Sequence, residues 1–340
     1  MTVDQATSSL PTLLLLATGG TIAGRGATST SLNAYTAGAL AGSELLQALP
    51  QLQGLAHIQV EQLANVDSAD LQFQHWIQLV KRIREAFAAS PELAGVVITH
   101  GTNTLEETAW LLELLIDDPR PVVLVGAMRP ATALSADGPL NLFQAVQVAL
   151  SARARGHGVL VVMDGQIHGA RAVTKVATQG VGAFQSPDLG PLGWVDDSGV
   201  HLPGVSGARF VPFAPLVLPP QWPEVAILYG CVDAPVSMVS ALFKAGVKGL
   251  VWTGTGAGQL SAGEREAIKT WPGALPLMLR ASRCGSGPVH PCALQDALGL
   301  LPAGTLNPQK ARILLLMALI AGMERAELSA LLASMPMIEG

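Results

Sequence analysis

The chain has 340 residues, of which 49% are hydrophobic and only 13% are charged, and its formal net charge is -5. A chain of this length predicts two domains, because single hydrophobic cores stop growing beyond about 250–300 residues. The negative charge and the absence of basic runs argue against a nucleic-acid partner, and no apolar run reaches the length of about 18 residues that would predict a membrane span.

Short apolar runs alternate with segments of helical periodicity in the first half of the chain, which is typical of a parallel α/β sheet. Because such sheets bind ligands at the carboxyl ends of their strands, Thr21, Thr102 and the loop 129–137 are expected along one edge. The predicted strands are 12–20, 95–102, 121–128 and 158–165, and the predicted helices are 71–90, 103–116 and 138–154.

A stretch rich in proline and glycine, residues 186–224, interrupts this pattern and predicts hairpin-like loops followed by a linker. A second, smaller α/β unit follows, with strands predicted at 225–230, 249–256 and 275–282 and a closing helix from residue 308. The organisation predicted is an N-terminal α/β domain over residues 1–207, a linker over 208–224 and a C-terminal α/β domain over 225–340.

The cellular location is predicted from the N-terminus and the cysteines. The first residues include Asp4 where a secretory signal would carry Lys or Arg. The three cysteines, Cys231, Cys284 and Cys292, are odd in number and have no C-x-x-C spacing, which indicates reduced thiols. Both features predict a cytoplasmic protein.

The stretch LLLLATGGTIAGRG, residues 13–26, ends an apolar strand in two glycines and a threonine. Glycines allow the backbone to approach a ligand closely. Thr21 is either the cap of a turn or helix start or a nucleophile, and a threonine hydroxyl needs a neighbouring base for the second role. This stretch alone leaves both interpretations open.

A second threonine and a lysine are candidates for that proton transfer. Thr102 follows a predicted strand, whereas Thr104 and Glu107 have the spacing of a helix capping box, so Thr104 is predicted to be structural. Lys175 has apolar neighbours, and desolvation would favour its neutral form; a solvated surface charge is the alternative. Backbone N–H groups at the glycine turns could hold an oxyanion, and together these parts predict an acyl-transfer site.

Motifs for metals and common cofactors are not found. The sequence has no HExxH, no paired Cys/His set, no GxSxG elbow and no Walker A motif. The stretch GTGAGQL, residues 254–260, lacks the full dinucleotide-binding fingerprint and predicts a tight turn that faces a ligand or an interface. We expect neither a metal nor a cofactor.

Five stretches together resemble the bacterial-type asparaginase/glutaminase family over essentially the whole chain. The resemblance implies an amidohydrolase that converts L-asparagine to L-aspartate and ammonia through a threonine acyl-enzyme. It also implies a homotetramer of two-domain α/β subunits, a dimer of intimate dimers whose active sites include the C-terminal domain of a neighbour; the low share of charged residues agrees with such an assembly. The stretches are LATGGTIAG (16–24), VITHGTNTLEET (97–108), VGAMRPATALSADGPLNL (125–142), DGQIHGARAVTK (164–175) and GTLNPQKAR (304–312).

Roles for single residues follow from their positions in these stretches. Thr21 matches the nucleophile, and Tyr35 matches the tyrosine of a mobile lid, here 23–35, that helps to activate it. Thr102 and Lys175 match the second threonine and its lysine. The predicted substrate-binding positions are Ser68, which matches the serine that holds the α-carboxylate, and Ala69, Asn103, Gly20 and Gly101.

The chain departs from the family pattern at the subsite for the α-amino group. Asn103 stands where the family has the Asp that binds this group, and Ala69 stands where Gln is usual. The turn GTGAGQL offers Ala257 and Gln259 where relatives have Asn, and the segment after Arg283 lacks a Glu that many relatives use, for which Asp296 is a possible substitute.

Because of these departures, the sequence is consistent with two classes of amide substrate. An ammonium group in a partly buried pocket without its carboxylates costs several kcal/mol. The substrate is therefore either L-asparagine, with amine partners supplied elsewhere, or a small amide without a free α-amino group. Loss of Asp at position 103 would also make Lys175 easier to deprotonate.

A non-catalytic binding protein is the third alternative. The presence of all four catalytic candidates opposes it: Thr21, Tyr35, Thr102 and Lys175.

Overall fold

The computed structural model describes residues 10–204 and 209–335. Asp4 and the boundary predicted at residues 207–208 lie outside these ranges. The described residues form two compact units. The first unit takes the described residues within Met1–Ala109, Ile116–Gln185 and Pro191–Arg209, and the second takes those within Trp110–Leu115, Ser186–Gly190 and Phe210–Gly340.

The first unit is built around one large sheet with helices packed against it. Its strands are β1 (Thr12–Gly19), β2 (Arg25–Gly26), β3 (Tyr35–Thr36), β4 (His57–Val66), β5 (Leu93–Thr99), β6 (Val122–Val125), β7 (Val159–Met163), β8 (Gln166–Gly169), β9 (Thr174–Lys175), β10 (Phe184–Gln185), β11 (Gly193–Asp196) and β12 (Gly199–His201). The helices that begin in this unit are α1 (Gly42–Gln47), α2 (Phe73–Ala89), α3 (Leu105–Leu115) and α4 (Gly138–Leu150).

Eight of these strands form the sheet, in the order β12-β11-β8-β7-β6-β5-β1-β4. The pairs from β4 to β7 are parallel, and the pairs from β7 to β12 are antiparallel. Strands β1, β5, β6 and β7 are almost wholly buried, as expected of parallel strands covered on both faces. Thr21, Thr102 and the loop 129–137 follow the carboxyl ends of β1, β5 and β6, the edge predicted for a ligand.

The second unit contains a smaller sheet of four parallel strands in the order β13-β14-β15-β16. These strands are β13 (Val225–Tyr229), β14 (Gly249–Gly254), β15 (Leu277–Ser282) and β16 (Leu300–Pro302), and the helices are α5 (Ser237–Ala245), α6 (Ala262–Lys269), α7 (Ala293–Asp296), α8 (Pro308–Ile320) and α9 (Arg325–Ser334). Helix α8, the predicted closing helix, is buried along most of its length. The predicted fold class is confirmed: a larger, mostly parallel N-terminal sheet and a smaller parallel C-terminal sheet.

Within the described ranges, no helix has the length and apolar character needed to cross a membrane.

Candidate active site

Thr21 lies in a short turn between β1 and the hairpin that follows. Gly20 has a φ of 82°, a left-handed value that favours glycine, and it redirects the chain into the 3-10 turn Thr21–Ala23. Thr21 is 5% exposed. The Gly20 N–H donates to the Val66 carbonyl at 3.1 Å and the Gly24 N–H to the Thr21 carbonyl at 2.8 Å. These two amides are therefore committed to the fold, and an oxyanion would need other donors.

Tyr35 is brought to Thr21 by a two-stranded hairpin. Strands β2 and β3 pair antiparallel, with Gly26 opposite Tyr35. The Tyr35 hydroxyl lies 2.6 Å from Thr21 Oγ1, and either oxygen can be the donor. The Tyr35 ring lies over Gly24, where a Cβ would come 2.8 Å from Cδ2 of the ring. A hydrogen bond of 2.9 Å from the Gly26 N–H to Thr132 Oγ1 anchors the hairpin to the neighbouring loop.

Two glycines bring the Thr21 and Thr102 loops into contact. A Cβ at Gly20 would overlap the backbone of Gly101, and a Cβ at Gly101 would lie 2.6 Å from Ser68 Oγ. Both positions thus require glycine for packing. Their contact makes Thr21, Thr102 and Ser68 neighbours.

Lys175 contacts Thr102 directly. Its Nζ donates to Thr102 Oγ1 at 2.8 Å, and Thr102 is 6% exposed. Lys175 is half-buried on β9, and its backbone N–H lies 3.4 Å from Glu106 Oε1. Burial lowers the pKa of Lys175 below its usual value, and the nearby carboxylates of Asp67 and Glu106 oppose that shift. Lys175 is therefore not the solvated surface charge considered above.

Ser68 ties the start of α3 to the turn Ser68–Asp70. Its hydroxyl accepts from the backbone N–H groups of Asn103 at 3.1 Å and Thr104 at 3.3 Å. Because a hydroxyl has two acceptor sites and one proton, this arrangement leaves the Ser68 proton available for an anionic acceptor. Thr104 Oγ1 donates to the Ser68 carbonyl at 2.8 Å, a structural role in keeping with the prediction for that residue.

Asp67 lies beside Asn103 and was missed by the sequence reasoning, although it directly precedes two predicted site residues. Its Oδ1 accepts from the Ala69 N–H at 2.9 Å and from Asn103 Nδ2 at 3.0 Å. A pocket of about 330 Å³ is lined by Asn103, Lys175, Val176, Ala177 and Thr178, so Asp67 adjoins it through its hydrogen bond to Asn103. Asn103 is exposed, whereas Asp67 and Lys175 are partly buried. The sequence signal that could have identified Asp67 is its negative charge directly before Ser68.

A buried chain of hydrogen bonds supports the Gly101 loop from behind. The Trp76 indole N–H donates to Thr108 Oγ1 at 2.9 Å, Thr108 Oγ1 lies 2.9 Å from His100 Nε2, and His100 Nδ1 lies 2.7 Å from the Gly101 carbonyl. Because the carbonyl can only accept, Nδ1 carries the proton and Nε2 accepts from Thr108. Complete burial lowers the pKa of His100 to about 4, so the ring is neutral near pH 7.

Two features of the second unit bear on the sequence predictions. The turn after β14 is tight, since Thr255 and Gln259 form a β-bridge; that it faces a ligand or an interface stays a prediction. The Asp296 carboxylate accepts from the Cys292 N–H at 2.8 Å and lies 3.8 Å from the buried guanidinium of Arg280. Its Oδ2 is therefore engaged within its own unit, whereas its buried Oδ1 accepts no hydrogen bond from a described residue.

In the part of the chain that the structure describes, no group of three or more His, Cys, Asp or Glu side chains is arranged to hold a metal ion.

Two family models match the chain. The model for Asparaginase, N-terminal, matches residues 12–204, and the model for the Glutaminase/Asparaginase C-terminal domain matches residues 224–332.

Whole-length relatives show the same likeness. The chain is 41% identical over 316 residues to a probable periplasmic L-asparaginase of Haemophilus influenzae, covering 92% of this chain and 89% of that protein. It is 39% identical over 318 residues to L-asparaginase 2 of Escherichia coli, covering 92% and 90%. It also resembles the crystal structure of a probable cytoplasmic L-asparaginase from Campylobacter jejuni, with a TM-score of 0.87 and 38% identity over 96% of this chain and 99% of the other.

Proposed function

Because this chain belongs to the asparaginase/glutaminase family, we propose that it hydrolyses L-asparagine to L-aspartate and ammonia through an acyl intermediate on Thr21. Asparaginase-type amidohydrolase activity follows from the family itself. One observation supports the residue assignment. Two hydroxyls on loops joined by the Gly20–Gly101 contact each have a partner that can carry a proton, Tyr35 for Thr21 and Lys175 for Thr102.

Acylation is assigned to Thr21 and Tyr35. Thr21 Oγ1 attacks the side-chain amide carbon and gives its proton to the Tyr35 oxygen, 2.6 Å away. Tyr35 passes its own proton to the amide nitrogen, so the carbon–nitrogen bond breaks with release of ammonia. This step leaves an ester on Thr21 and a neutral Tyr35.

Deacylation is assigned to Thr102 and Lys175. Water attacks the ester carbon and gives a proton to Thr102 Oγ1, while the Thr102 proton moves to neutral Lys175 Nζ at 2.8 Å. Thr21 Oγ1 leaves and takes up the proton held by Lys175, returned through Thr102, which releases the free carboxyl group of the product and restores neutral Lys175. The lowered pKa of Lys175 supports this role, because the base must be neutral when water attacks.

Binding of an amino-acid substrate is supported by Ser68. Its free hydroxyl proton suits the α-carboxylate, as the resemblance implies. The alternatives raised by the sequence, an amide without an α-amino group and a non-catalytic binding protein, receive no support from the relatives, since those reported above carry the names of L-asparaginases. The proposed ligand remains a small-molecule amide, and neither a nucleic-acid partner nor a membrane partner is proposed for the protein.

Two further parts of the proposal concern assembly and location. A homotetramer is supported by exposed apolar side chains in the second unit, among them Tyr229, Val232 and Met238. A cytoplasmic location is supported by three free cysteines and by the name of the Campylobacter relative, although the Haemophilus relative is named as periplasmic. Cell fractionation in the source organism tests the location.

The proposed function is tested by ammonia release from L-asparagine with the wild type and Thr21→Ala. We expect Thr21→Ala to lower kcat by at least 10³-fold, since no other group can form the ester. Thr270→Ala, which changes an exposed threonine after α6, serves as the matched control and should retain full activity. Comparable turnover by Thr21→Ala would show that the nucleophile lies elsewhere, and no turnover by the wild type would refute the proposed function.

A further inference from the structure

The substrate of the proposed reaction carries an α-ammonium group, and a partly buried ammonium needs an anionic partner. The pocket beside Lys175 is lined by Asn103, Lys175, Val176, Ala177 and Thr178, none of which supplies a negative charge. A carboxylate close to these residues is therefore required if an α-amino acid binds here.

Two carboxylates lie near residues that line the pocket: Asp67 Oδ1 accepts from Asn103 Nδ2 at 3.0 Å, and Glu106 adjoins the backbone of Lys175. Glu106 is 6% exposed, and its Oε1 faces the Lys175 backbone N–H at 3.4 Å. Asp67 is only partly buried. Of the two, Asp67 is therefore the one that a ligand can reach.

The hydrogen bonds of Asp67 leave one oxygen for a ligand. Both of its protein donors, the Ala69 N–H and Asn103 Nδ2, bind Oδ1. No described residue donates to Oδ2 in the structure, although a carboxylate oxygen can accept two hydrogen bonds. The side chain is thus held in one orientation with an acceptor to spare.

Asn103 fixes this orientation and links it to the catalytic lysine. Its Nδ2 donates to Asp67 Oδ1 at 3.0 Å, and its Oδ1 lies 3.5 Å from Lys175 Nζ. An amide is the side chain that can serve a carboxylate and an amine at once, because it donates at one end and accepts at the other. Asn103 therefore acts as a positioning residue between Asp67 and Lys175.

We propose that Asp67 binds the α-ammonium group of the substrate through Oδ2 and so makes the enzyme select α-amino acid amides, an inference that rests on the proposed hydrolysis of L-asparagine. Asn103 lacks the negative charge of the Asp that the family has at this position, and Asp67 supplies a negative charge instead. Asp67 directly precedes Ser68 in the same turn. One turn then provides partners for both the ammonium and the carboxylate of the substrate.

The test compares L-asparagine with succinamate, the same amide without the amino group, in steady-state kinetics. Asp67→Asn keeps the shape and the acceptor for Ala69 and Asn103 and removes only the charge. We expect kcat/KM for L-asparagine to fall about 10- to 100-fold, mainly through KM, because one charge-assisted hydrogen bond is lost. Because the charge of Asp67 also acts on Lys175, both substrates are compared at a pH above the acidic limb of the kcat profile, where kcat/KM for succinamate should fall much less than kcat/KM for L-asparagine. Asp70→Asn, which removes an exposed carboxylate from the same turn, should change neither substrate.

A second variant and a binding measurement complete the test. Asp67→Asn combined with Asn103→Asp returns a carboxylate to the same pair and should restore the preference for L-asparagine. If succinamate is turned over too slowly, inhibition by L-aspartate against succinate gives the same comparison, with only L-aspartate weakened by Asp67→Asn.

The outcomes separate this inference from the proposed function. Equal losses for both substrates, without recovery in the double variant, would show that Asp67 only shapes the turn and would overturn the inference. An unchanged preference for L-asparagine in Asp67→Asn would also overturn it. Failure of the wild type to release ammonia from L-asparagine would instead refute the proposed function.

Discussion

Lys175 is held between two opposing influences. Its partly buried position lowers its pKa, while the carboxylates of Asp67 and Glu106 favour the charged form. Asn103 contributes no charge of its own and places its amide oxygen 3.5 Å from Nζ. The charge on Asp67 therefore affects the base as well as the proposed amine subsite.

This balance predicts how the pH profile responds to Asp67→Asn. If neutral Lys175 is the base, activity rises with pH as Lys175 loses its proton. Removing the Asp67 charge lowers the pKa of Lys175 further, so the acidic limb of the kcat profile should move to lower pH. The measurement is kcat at saturating L-asparagine across the pH range, with Asp70→Asn as the control. An unchanged limb, or a move to higher pH, would contradict the role of Lys175 as base.

The sequence predicted the catalytic side chains better than it predicted the charged group beside them. Thr21, Thr102 and Lys175 were candidates from their own stretches of sequence, and the resemblance to a family implied their roles; the structure places Lys175 against Thr102. Asp67 was not predicted as a site residue, because its role depends on its contact with Asn103, which lies 36 residues further along the chain. Spacing along a sequence does not reveal that two loops meet. The absence of the family's Asp at position 103 could therefore be recognised from the sequence, whereas the proximity of the Asp67 carboxylate to that position could not.

Among the secondary-structure elements, α2, α3 and the end of β5 are joined by one hydroxyl. Thr108 accepts from Trp76 on α2 and donates to His100, which in turn holds the Gly101 carbonyl. Thr108 and His100 are 0% and 1% exposed, so water cannot replace either partner. The loop that carries Thr102 is thereby fixed to two helices.

Thr108→Val tests this connection. Valine keeps the shape but can neither accept from the Trp76 N–H nor donate to His100 Nε2, and the loss of these two buried hydrogen bonds should cost about 2–4 kcal/mol in the free energy of unfolding. Thermal unfolding followed by circular dichroism at fixed protein concentration would show the lowered midpoint. Thr270→Val, at an exposed position, should change stability by less than about 0.5 kcal/mol. Equal midpoints for both variants would mean that the chain of hydrogen bonds contributes little.

The same scale explains which elements could be predicted. Strands β1, β5, β6 and β7 are buried on both faces and read as continuous apolar runs, so their positions were predicted closely. Strand β4 was missed because it is an edge strand that mixes polar and apolar residues, HIQVEQLANV. The hairpin of β11 and β12 fell within the stretch predicted only as hairpin-like loops, because strands of three or four residues carry too short a pattern.

At the scale of the whole molecule, the second unit exposes apolar side chains around the edge strand β13. Tyr229 is 60% exposed, Val232 is 92% exposed and Met238 is 49% exposed. Exposed apolar groups near a sheet edge are typical of surfaces that another chain covers. These residues are therefore the place to test the proposed homotetramer.

Val232→Asp should reduce the assembly below a tetramer, because burying an unpaired carboxylate in an interface is costly. Light scattering after size-exclusion chromatography measures the mass, and the ammonia assay should lose activity in parallel if the sites need a neighbouring subunit. Val217→Asp, at a valine that is 82% exposed, is the matched control. A Val232→Asp protein with the wild-type mass and activity would remove this surface from the proposed interface.

The contact between Lys175 and Thr102 joins residues that are 73 positions apart in the chain. Closing a loop of that length carries an entropic cost that local helices do not bear. During synthesis, Thr21, Tyr35, Ser68 and Thr102 have all left the ribosome well before Lys175 is added. On the proposed mechanism, a partly made chain therefore contains the proposed nucleophile Thr21 before the base for deacylation, because Lys175 lies on β9, in the separate two-stranded sheet of β9 and β10.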